Sequence, residues 1–338
     1  MRICAECFKA DEWKNKFNLQ NQKNKGTCDF CGETHTTVDF NNCFKPYLLK
    51  LLSLFKNDRN GKPLSKILIE DFGIFTNEQI AKKVLNALSL DLDANLKLNA
   101  KCCYKDDVLA ARNLWENVKR RVVNEFRFFS SIDLAEEGWD TYFGRDRYTP
   151  IKKRSVFYRG RPNDNAKRPY RKLSDLDMPP ADKASAGRVN PHGIPCLYLT
   201  EKPETTIYEL RATFGDKISV GKFEVLKDLY IIDFNYRPLL TNSIDNDSLK
   251  DDISEFLLKQ QIGTDLSKPM RKYDNKEIEY VPTQYICEFI KILGADGIRY
   301  NSAVHHDGRN LVLFKSDKIK CISVDVKTVG EPTMRFEG

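Results

Sequence analysis

The stretch ASAGRVNPHGIPCLYLTEKPETTIYELR, residues 184–211, decides how the second half of this chain folds. It begins as a loop rich in Gly and Pro, continues into a short apolar segment, Cys196–Thr200, that predicts a strand, and then enters a helix predicted over Glu204–Phe214. Tyr198 lies between Leu197 and Leu199 along the strand. If the two leucines face the core, Tyr198 therefore faces away from the core. The helix carries Glu209.

Outward from this stretch, strands and helices mix without regular alternation. The predicted strands are Ser155–Arg159, Cys196–Thr200, Ile218–Leu226, Leu229–Phe234, Gly297–Tyr300, Asn310–Lys315 and Ile319–Val326, and the predicted helices are Glu204–Phe214, Ser248–Gln261 and Pro282–Leu293. Because strands outnumber helices, a doubly wound nucleotide-binding fold is disfavoured, and neither GxGxxG nor GxxxxGK[ST] is present. The pattern predicts an α+β fold.

A second stretch, YVPTQYICEFIKILGADGIRYNSAVHHDGRNLVLF, residues 280–314, places Ser302 just after a predicted strand. Arg159 ends another strand in VFYRGRP. If the fold brings these two residues together with Glu209, one cleft holds a fixed positive charge, a carboxylate and a hydroxyl. Such a trio suits a phosphorylated ligand that contains a sugar.

The two quoted stretches together closely resemble the RES domain, a family named after an Arg, a Glu and a Ser. The resemblance covers about residues 150–326. RES proteins resemble ADP-ribosyltransferases in fold, and characterised members act on NAD+. Several are toxins that degrade the dinucleotide by phosphorolysis or hydrolysis and release nicotinamide, whereas others modify proteins with ADP-ribose. The resemblance therefore implies an ADP-ribosyltransferase-like mixed β-sheet catalytic domain.

The resemblance also implies roles for the trio. Cleavage of the nicotinamide–ribose bond passes through an oxocarbenium-like transition state, which the Glu209 carboxylate would stabilise. Arg159 would bind the diphosphate or a ribose oxygen with two parallel N–H groups, which a lysine cannot do. Ser302 would donate to a phosphate or ribose oxygen, and it is not a nucleophile because the sequence places no base beside it. Further ligand-binding candidates are Tyr158, Arg188, Tyr198, Gln284 and Asn310.

Other polar residues near these motifs have structural interpretations. Glu204 is expected in the first turn of its helix, where the helix dipole favours an acidic residue. His305 and His306 are expected at the surface, because nicotinamide leaves without needing a proton.

The N-terminal residues 1–44 contain two CxxC pairs, Cys4-Ala-Glu-Cys7 and Cys28-Asp-Phe-Cys31. Four thiolates at this spacing predict a zinc ribbon. Because all four ligands are thiolates, no coordination position remains for a substrate water, so the Zn²⁺ is expected to be structural.

Residues 45–145 predict a helical regulatory or scaffold domain. Apolar positions recur at three- and four-residue spacing in YLLKLLSLF, TNEQIAKKVLNALSL and DDVLAARNLWENVKRRVVNEFRFF, with Thr76 and Asp106 as candidate N-caps. The polar, basic stretch GRDRYTPIKKRS then separates this segment from the catalytic domain, expected over residues 150–330. A zinc-bearing, helical front half is similar to N-terminal domains that are fused to RES domains.

Composition and charge bound the function. The chain has 338 residues, of which 41% are hydrophobic and 30% charged, so it can bury a core. It offers neither a membrane-spanning apolar run nor a signal-peptide core, and a cytoplasmic protein is expected. The net charge is +7, concentrated between Arg145 and Lys172, a stretch that suits nucleic acid, a phosphate-bearing small molecule or a neutralising protein partner.

The sequence therefore predicts an NAD+-consuming enzyme that cleaves the nicotinamide–ribosyl bond with inorganic phosphate or water as acceptor, as a toxin or defence effector. An antitoxin or regulatory protein is an expected partner. One alternative keeps the fold but transfers ADP-ribose to a protein or nucleic acid. The other is a zinc-ribbon module that binds nucleic acid through the basic stretch, with an inactive RES scaffold. The sequence does not choose between phosphate and water.

Overall fold

The computed structural model describes residues 1–92, 96–97, 100–126, 138–163, 169–269 and 275–330. The chain divides into two compact units. The first unit comprises Met1–Asn113 together with Arg237–Leu257, and the second comprises Leu114–Tyr236 together with the chain from Leu258 onward.

Thirteen strands and twelve α-helices are assigned in these ranges. The strands are β1 Arg2–Cys4, β2 Asn24–Thr27, β3 Thr34–Asp39, β4 Phe55–Pro63, β5 Lys101–Tyr104, β6 Thr149–Ile151, β7 Val156–Pro162, β8 Leu197–Thr200, β9 Lys217–Val225, β10 Leu229–Asp233, β11 Gly297–Asn301, β12 Arg309–Leu313 and β13 Ile319–Thr328. The helices are α1 Asp11–Asn18, α2 Phe40–Cys43, α3 Lys45–Leu52, α4 Leu64–Glu70, α5 Glu78–Ala87, α6 Asp106–Asn124, α7 Asp140–Phe143, α8 Pro203–Glu209, α9 Leu240–Asp245, α10 Leu249–Leu266, α11 Lys276–Glu279 and α12 Val281–Ile292.

The first unit contains a small antiparallel sheet in the order β1-β3-β2 and an antiparallel pair of β4 and β5. Its core includes a cluster of aromatic rings around Phe8, which lies 4.6 Å from the ring of Phe44 and 5.7 Å from that of Trp13. These rings are fully buried. Because large aromatic side chains remove much apolar area from water, this cluster stabilises a unit with few strands.

The helix starts in the first unit differ from the predicted ones. The N-cap of α5 is Asn77, whose side-chain oxygen accepts from the Ile80 N–H at 3.0 Å, rather than the predicted Thr76. Asp106 is the first residue of α6 instead of its cap. The segment predicted as entirely helical also contains β4 and β5, whose residues the helical periodicity did not reveal. The part of the third helical pattern beyond Phe126 lies outside the described residues.

A segment from the second half of the chain belongs to the first unit. Leu240, Ile253 and Phe256 are buried in its core, and the Glu12 carboxylate accepts from the Thr241 N–H at 3.0 Å and from the Thr241 hydroxyl at 3.2 Å. Compactness alone does not define which segments fold independently, so the division into a zinc ribbon, a helical domain and a catalytic domain stays a prediction.

The second unit is built on an eight-stranded sheet in the order β13-β9-β7-β8-β12-β11-β10-β6. Only the β10–β11 pair is parallel, and every other pairing in this sheet is antiparallel. The sheet is therefore mixed, and the fold is of the α+β kind that the sequence predicts. Each of the seven predicted strands overlaps an observed one, whereas β6 was not predicted.

The two faces of this sheet differ in character. Leu197 and Leu199 of β8 are buried in an apolar cluster with Leu311 and Leu313 of β12, as their registered pairing requires. Because strand residues alternate between faces, Tyr198 lies on the opposite face, as predicted. That opposite face carries the candidate site.

None of the helices in the described ranges is both long and apolar enough to cross a membrane.

Candidate active site

Four side chains in register form the floor of a cleft in the second unit. Tyr158 of β7 pairs with Thr200 of β8, Thr200 with Asn310 of β12, and Asn310 with Tyr300 of β11. Directly opposite residues on paired strands point to the same face, so the four side chains form one row across adjacent strands. All four line the cleft.

Glu209, the last residue of α8, is held at this row by two donors. The Ser302 hydroxyl and the Asn310 amide each donate to its Oε1 at 2.7 Å. Its other oxygen, Oε2, accepts no hydrogen bond from the described residues, and Glu209 lines the cleft. The carboxylate is thus fixed through one oxygen and open through the other.

The Ser302 hydroxyl has a defined orientation. It accepts the backbone N–H of Val304 at 3.2 Å and that of His305 at 3.1 Å. Because these two donors occupy its lone pairs, the hydroxyl proton points to Glu209. Ser302 is not among the residues that line the cleft. Its hydroxyl orients the carboxylate, and its predicted donation to a ligand oxygen stays a prediction.

His305 was expected at the surface, and the structure corrects that expectation. It is half-buried, its Nδ1 lies 2.8 Å from the Thr205 hydroxyl, and its ring stacks on Tyr208 with 4.4 Å between centroids and 7° between planes. Thr205 and Tyr208 both belong to α8, so the loop that carries Ser302 is attached to this helix at a second point. His306 is exposed, as expected, and Glu204 lies in the first turn of α8.

Arg159 brings a partly buried positive charge to the cleft. Its Nη1 donates to the carbonyls of Leu176 at 3.1 Å and Asp177 at 2.7 Å, and it forms no ion pair with a carboxylate among the described residues. Burial, with the nearby Arg161 guanidinium, lowers the pKa of Arg159 to about 10. The nearby Asp177 carboxylate offsets only part of the cost of burying this charge, so the arginine favours an anionic ligand.

The loop before β8 is held together by amide and hydroxyl groups. The Tyr198 hydroxyl donates to Asn190 Oδ1 at 2.7 Å and accepts the Val189 N–H at 3.2 Å. A Cβ at Gly187 would lie 2.4 Å from that hydroxyl, so only glycine allows this close approach. Burial raises the pKa of Tyr198 well above its ordinary value, so it stays a neutral hydrogen-bonding group.

Gln284 supports this loop from α12. Its amide donates to the carbonyls of Gly187 at 2.8 Å and Asn190 at 3.0 Å, and it is not among the residues that line the cleft. Its amide therefore holds this loop in place, and its predicted contact with a ligand stays a prediction. Arg188, on the same loop, does line the cleft, and its Nη2 donates to the Lys268 carbonyl at 2.5 Å.

The cleft has a volume of about 330 Å³. Its lining includes the predicted residues Tyr158, Arg159, Arg188, Tyr198, Glu209 and Asn310, together with Gly160, Gly187, Leu199, Thr200, Thr206, Leu210, Tyr280 and Tyr300. The sequence did not predict that Thr200, Tyr280 and Tyr300 line the cleft. Alternation places Thr200 and Tyr198 on one face of β8, but only the strand pairing reveals which residues lie beside them.

The basic stretch is described only in part, because Asp164, Lys167 and Arg168 lie outside the described residues. Arg161 donates to the Asp175 carbonyl at 2.5 Å and lies 4.5 Å over the ring of Tyr170, and Lys152 pairs with Asp228 at 3.0 Å. These contacts engage part of the stretch with the protein itself.

In the first unit, Cys4, Cys7, Cys28 and Cys31 form a cluster that could hold a metal ion. Their four sulfur atoms lie within 4.8 Å of one another. The distances are 3.7 Å for Cys4–Cys7, 3.6 Å for Cys4–Cys31 and 3.5 Å for Cys7–Cys28. Tetrahedral Zn–S bonds about 2.3 Å long separate neighbouring sulfurs by about 3.8 Å, so the donor set and its spacing fit zinc.

Comparison with known protein families matches residues 158–336 to the family model described as the RES domain. This match spans more than half of the chain, and the chain belongs to the RES domain family. Membership suggests an enzyme that acts on NAD+ at the level of the family. A comparison with curated proteins finds no match.

Proposed function

We propose that this protein consumes NAD+ by cleaving the bond between nicotinamide and ribose, with inorganic phosphate or water as acceptor. The observation that carries the proposal is the way the Glu209 carboxylate is held. Two donors fix one of its oxygens and leave the other open to the cleft. We further propose that the mixed sheet is ADP-ribosyltransferase-like and that the protein acts as a toxin or defence effector restrained by an antitoxin or regulatory partner.

The walls of the cleft support a dinucleotide as the ligand. Tyr158, Tyr198, Tyr280 and Tyr300 supply aromatic surface for a nicotinamide ring or a ribose face. The Oδ1 atom of Asn310 is buried and has no hydrogen-bond partner among the described residues. A buried acceptor without a donor costs free energy, and a ribose hydroxyl or the nicotinamide amide would supply that donor.

Charge in the cleft supports the same ligand. Arg159 uses Nη1 on two backbone carbonyls, which leaves its other guanidinium N–H groups for a diphosphate or ribose oxygen. Because the Asp177 carboxylate offsets only part of the cost of burying this charge, a bound diphosphate would offset more of it.

The proposed reaction begins with cleavage of the C1′–N bond of the nicotinamide riboside. The bonding electrons leave on the ring nitrogen, which converts the cationic pyridinium into neutral nicotinamide and develops positive charge at C1′ and the ring oxygen. The open oxygen of Glu209 stabilises that charge. With water, Glu209 can accept the proton that is released as the C1′–O bond forms; with hydrogen phosphate, no proton needs to leave for the charges to balance.

We also propose that the Cys4, Cys7, Cys28 and Cys31 cluster holds a structural Zn²⁺. Cys4 ends β1 and Cys7 lies three residues further on, whereas Cys28 and Cys31 lie in the turn between β2 and β3, so four metal–sulfur bonds would cross-link these two segments. A site with four thiolates has no open position for a substrate, so this metal takes no part in the proposed reaction.

The proposal is tested by incubating the purified full chain with NAD+, with and without inorganic phosphate, and separating the products by mass. ADP-ribose carrying a phosphate indicates phosphorolysis, and ADP-ribose indicates hydrolysis. A mass increment on a protein or nucleic acid indicates ADP-ribosyl transfer instead. Intact NAD+ under every condition contradicts the proposal and favours the nucleic-acid-binding module with an inactive scaffold.

A further inference from the structure

A second cavity, of about 330 Å³, adjoins the cleft in the same unit. It shares Arg188, Glu209, Leu210 and Tyr280 with the cleft, and it adds Arg211, Ala303 and Val304. We call it the arginine chamber. Its distinguishing feature is the pair Arg188 and Arg211, because both arginines line a space that none of the four floor residues of the cleft lines.

Three contacts hold Arg188 in place. Its backbone carbonyl accepts the Thr283 hydroxyl at 2.6 Å, its Nη2 donates to the Lys268 carbonyl at 2.5 Å, and its guanidinium lies 5.4 Å from the ring centroid of Tyr280. Its other guanidinium N–H groups have no acceptor within the described ranges. A guanidinium that is held through one nitrogen can present its remaining N–H groups, which lie in one plane, to a ligand.

Arg211 occupies a position that normally favours glycine. The Arg211 N–H donates to the Tyr208 carbonyl at 2.9 Å and the Ala212 N–H to the Ile207 carbonyl at 3.1 Å, which together form a Schellman motif at the end of α8. The residue after the C-cap in this motif is left-handed, and Arg211 has φ of 51°. A side chain makes this conformation less favourable than it is for glycine, so an arginine at this position lowers the stability of the fold.

We propose that the arginine chamber is a phosphate-binding subsite, continuous with the cleft, in which Arg188 and Arg211 bind one phosphate group. This inference rests on the proposed function. The phosphate group is either the inorganic phosphate that attacks C1′ or part of the diphosphate of the dinucleotide. Guanidinium pairs recognise the phosphate oxygens through charge-assisted hydrogen bonds, and the Glu209 carboxylate in the shared wall lies next to the reacting ribose.

For inorganic phosphate, the step is balanced without any further reactant. An oxygen of hydrogen phosphate forms a bond to C1′ as the C1′–N bond breaks, and the electron pair departs with neutral nicotinamide. The product is ADP-ribose that carries a phosphate on C1′. Nothing is oxidised or reduced.

The decisive variant is Arg211→Gly, which removes the guanidinium and relieves the left-handed strain. We expect it to raise the melting temperature and to weaken phosphate recognition about tenfold or more, since it removes a charge-assisted contact. Arg154→Gly is the matched control, because Arg154 is an exposed arginine of the same unit with φ of 72° that lines neither cavity. It should raise the melting temperature and leave recognition unchanged.

Steady-state kinetics distinguishes the two sources of the phosphate group. A tenfold higher KM for inorganic phosphate with an unchanged KM for NAD+ supports the acceptor. A higher KM for NAD+ with an unchanged KM for inorganic phosphate supports the diphosphate. If Arg211→Gly changes neither value relative to Arg154→Gly, the proposal is overturned.

Calorimetric titration with inorganic phosphate and with ADP supplies a readout that needs no turnover. If the wild-type chain leaves NAD+ intact but binds either probe at least tenfold more tightly than Arg211→Gly does, the proposed function fails and the phosphate subsite stands. If the wild-type chain cleaves NAD+ and Arg211→Gly binds both probes as tightly as wild type, the subsite fails and the proposed function stands.

Discussion

The cysteine cluster of the first unit and the cleft of the second unit differ in how fully the bonding capacity of their polar groups can be used within the protein. In the cluster, four sulfur atoms lie close enough to satisfy one metal ion together. In the cleft, the part of the chain that the structure describes leaves hydrogen-bonding capacity unfilled at Arg159, at Glu209 Oε2 and at Asn310 Oδ1. A closed ligand set is typical of a structural site, whereas polar groups that line a cleft with hydrogen-bonding capacity left over indicate a place for a ligand.

The two sites therefore affect the stability of the protein in different ways. Filling the cluster with metal should stabilise the fold, because the ligands are brought together only when the unit folds. The cleft carries costs in the unliganded protein, because burial lowers the pKa of Arg159 and so disfavours its charged form. A bound anion would recover that cost. The following predictions test the contrast, from the largest expected effect on catalysis to the smallest.

The largest effect is expected from Glu209→Gln. The amide keeps the shape of the side chain but removes the charge that stabilises the transition state, so kcat should fall about a thousandfold or more while the melting temperature changes little. Glu204→Gln is the matched control, because Glu204 lies exposed in the first turn of the same helix. Turnover of Glu209→Gln within a few-fold of wild type would refute the role of this carboxylate.

A smaller loss is expected from Arg159→Lys. An ammonium group cannot donate to the carbonyls of Leu176 and Asp177 and also present a planar fork to a diphosphate, so the affinity for NAD+ should fall about 10- to 100-fold. Calorimetric titration with NAD+ measures this change. An affinity equal to that of wild type would remove Arg159 from the ligand site.

The buried guanidinium also predicts a dependence on pH. Arg159 is charged below its pKa of about 10 and loses its charge above that value, so the affinity for NAD+ should stay level from neutral pH and decline as the pH rises through about 10. Since burial lowers the pKa of this basic group, its charge costs the unliganded fold stability at neutral pH. An affinity that increases above pH 10 would contradict the assignment.

Ser302→Ala should reduce kcat about tenfold, less than the loss of the carboxylate itself, because Asn310 still donates to Glu209 Oε1. The KM for NAD+ should change little, since Ser302 is not among the residues that line the cleft. Ser302→Thr, which keeps a hydroxyl, should recover part of the rate. Equal kcat in Ser302→Ala and wild type would show that the serine does not orient the carboxylate.

The smallest effect on catalysis is expected from Cys28→Ser. Loss of one thiolate should release zinc and lower the melting temperature by about 10 °C or more, while NAD+ turnover by the folded fraction stays within a few-fold of wild type. Zinc content by elemental analysis and thermal unfolding with and without a chelator measure both parts. Cys43→Ser is the control, because Cys43 lies outside the cluster. Complete loss of turnover in a folded, zinc-free variant would contradict a purely structural metal.

Much of the local structure of the second unit could be predicted from the sequence. Apolar runs of four to nine residues bounded by turn residues gave each predicted strand, because a buried strand requires β-compatible apolar side chains in its own segment. Alternation also placed Tyr198 opposite its leucine neighbours. In the first unit, periodicity identified helices but not β4, whose sequence FKNDRNGKP is mostly polar and contains no apolar alternation.

The candidate site was predictable in its chemistry and less so in its geometry. The sequence nominated a guanidinium, a carboxylate and a hydroxyl, and the structure brings Ser302 onto Glu209 in the cleft that Arg159 lines. The sequence did not predict that Gln284 supports a loop or that His305 packs on α8. Those contacts join residues about a hundred positions apart, and no local pattern encodes them.

The sequence by itself determined seven of the eight strands and the main helices of the second unit, and it specified four cysteines at metal-ligand spacing. Only the tertiary structure decided that Tyr158, Thr200, Asn310 and Tyr300 share one row, that residues 237–257 complete the core of the first unit, and that Arg211 adopts a left-handed conformation. The physical reason is the range of the interactions. Propensity, periodicity and ligand spacing act between residues that are near in sequence, whereas strand register and chain reversal are set by packing and hydrogen bonds between distant segments, whose free energies depend on the whole fold.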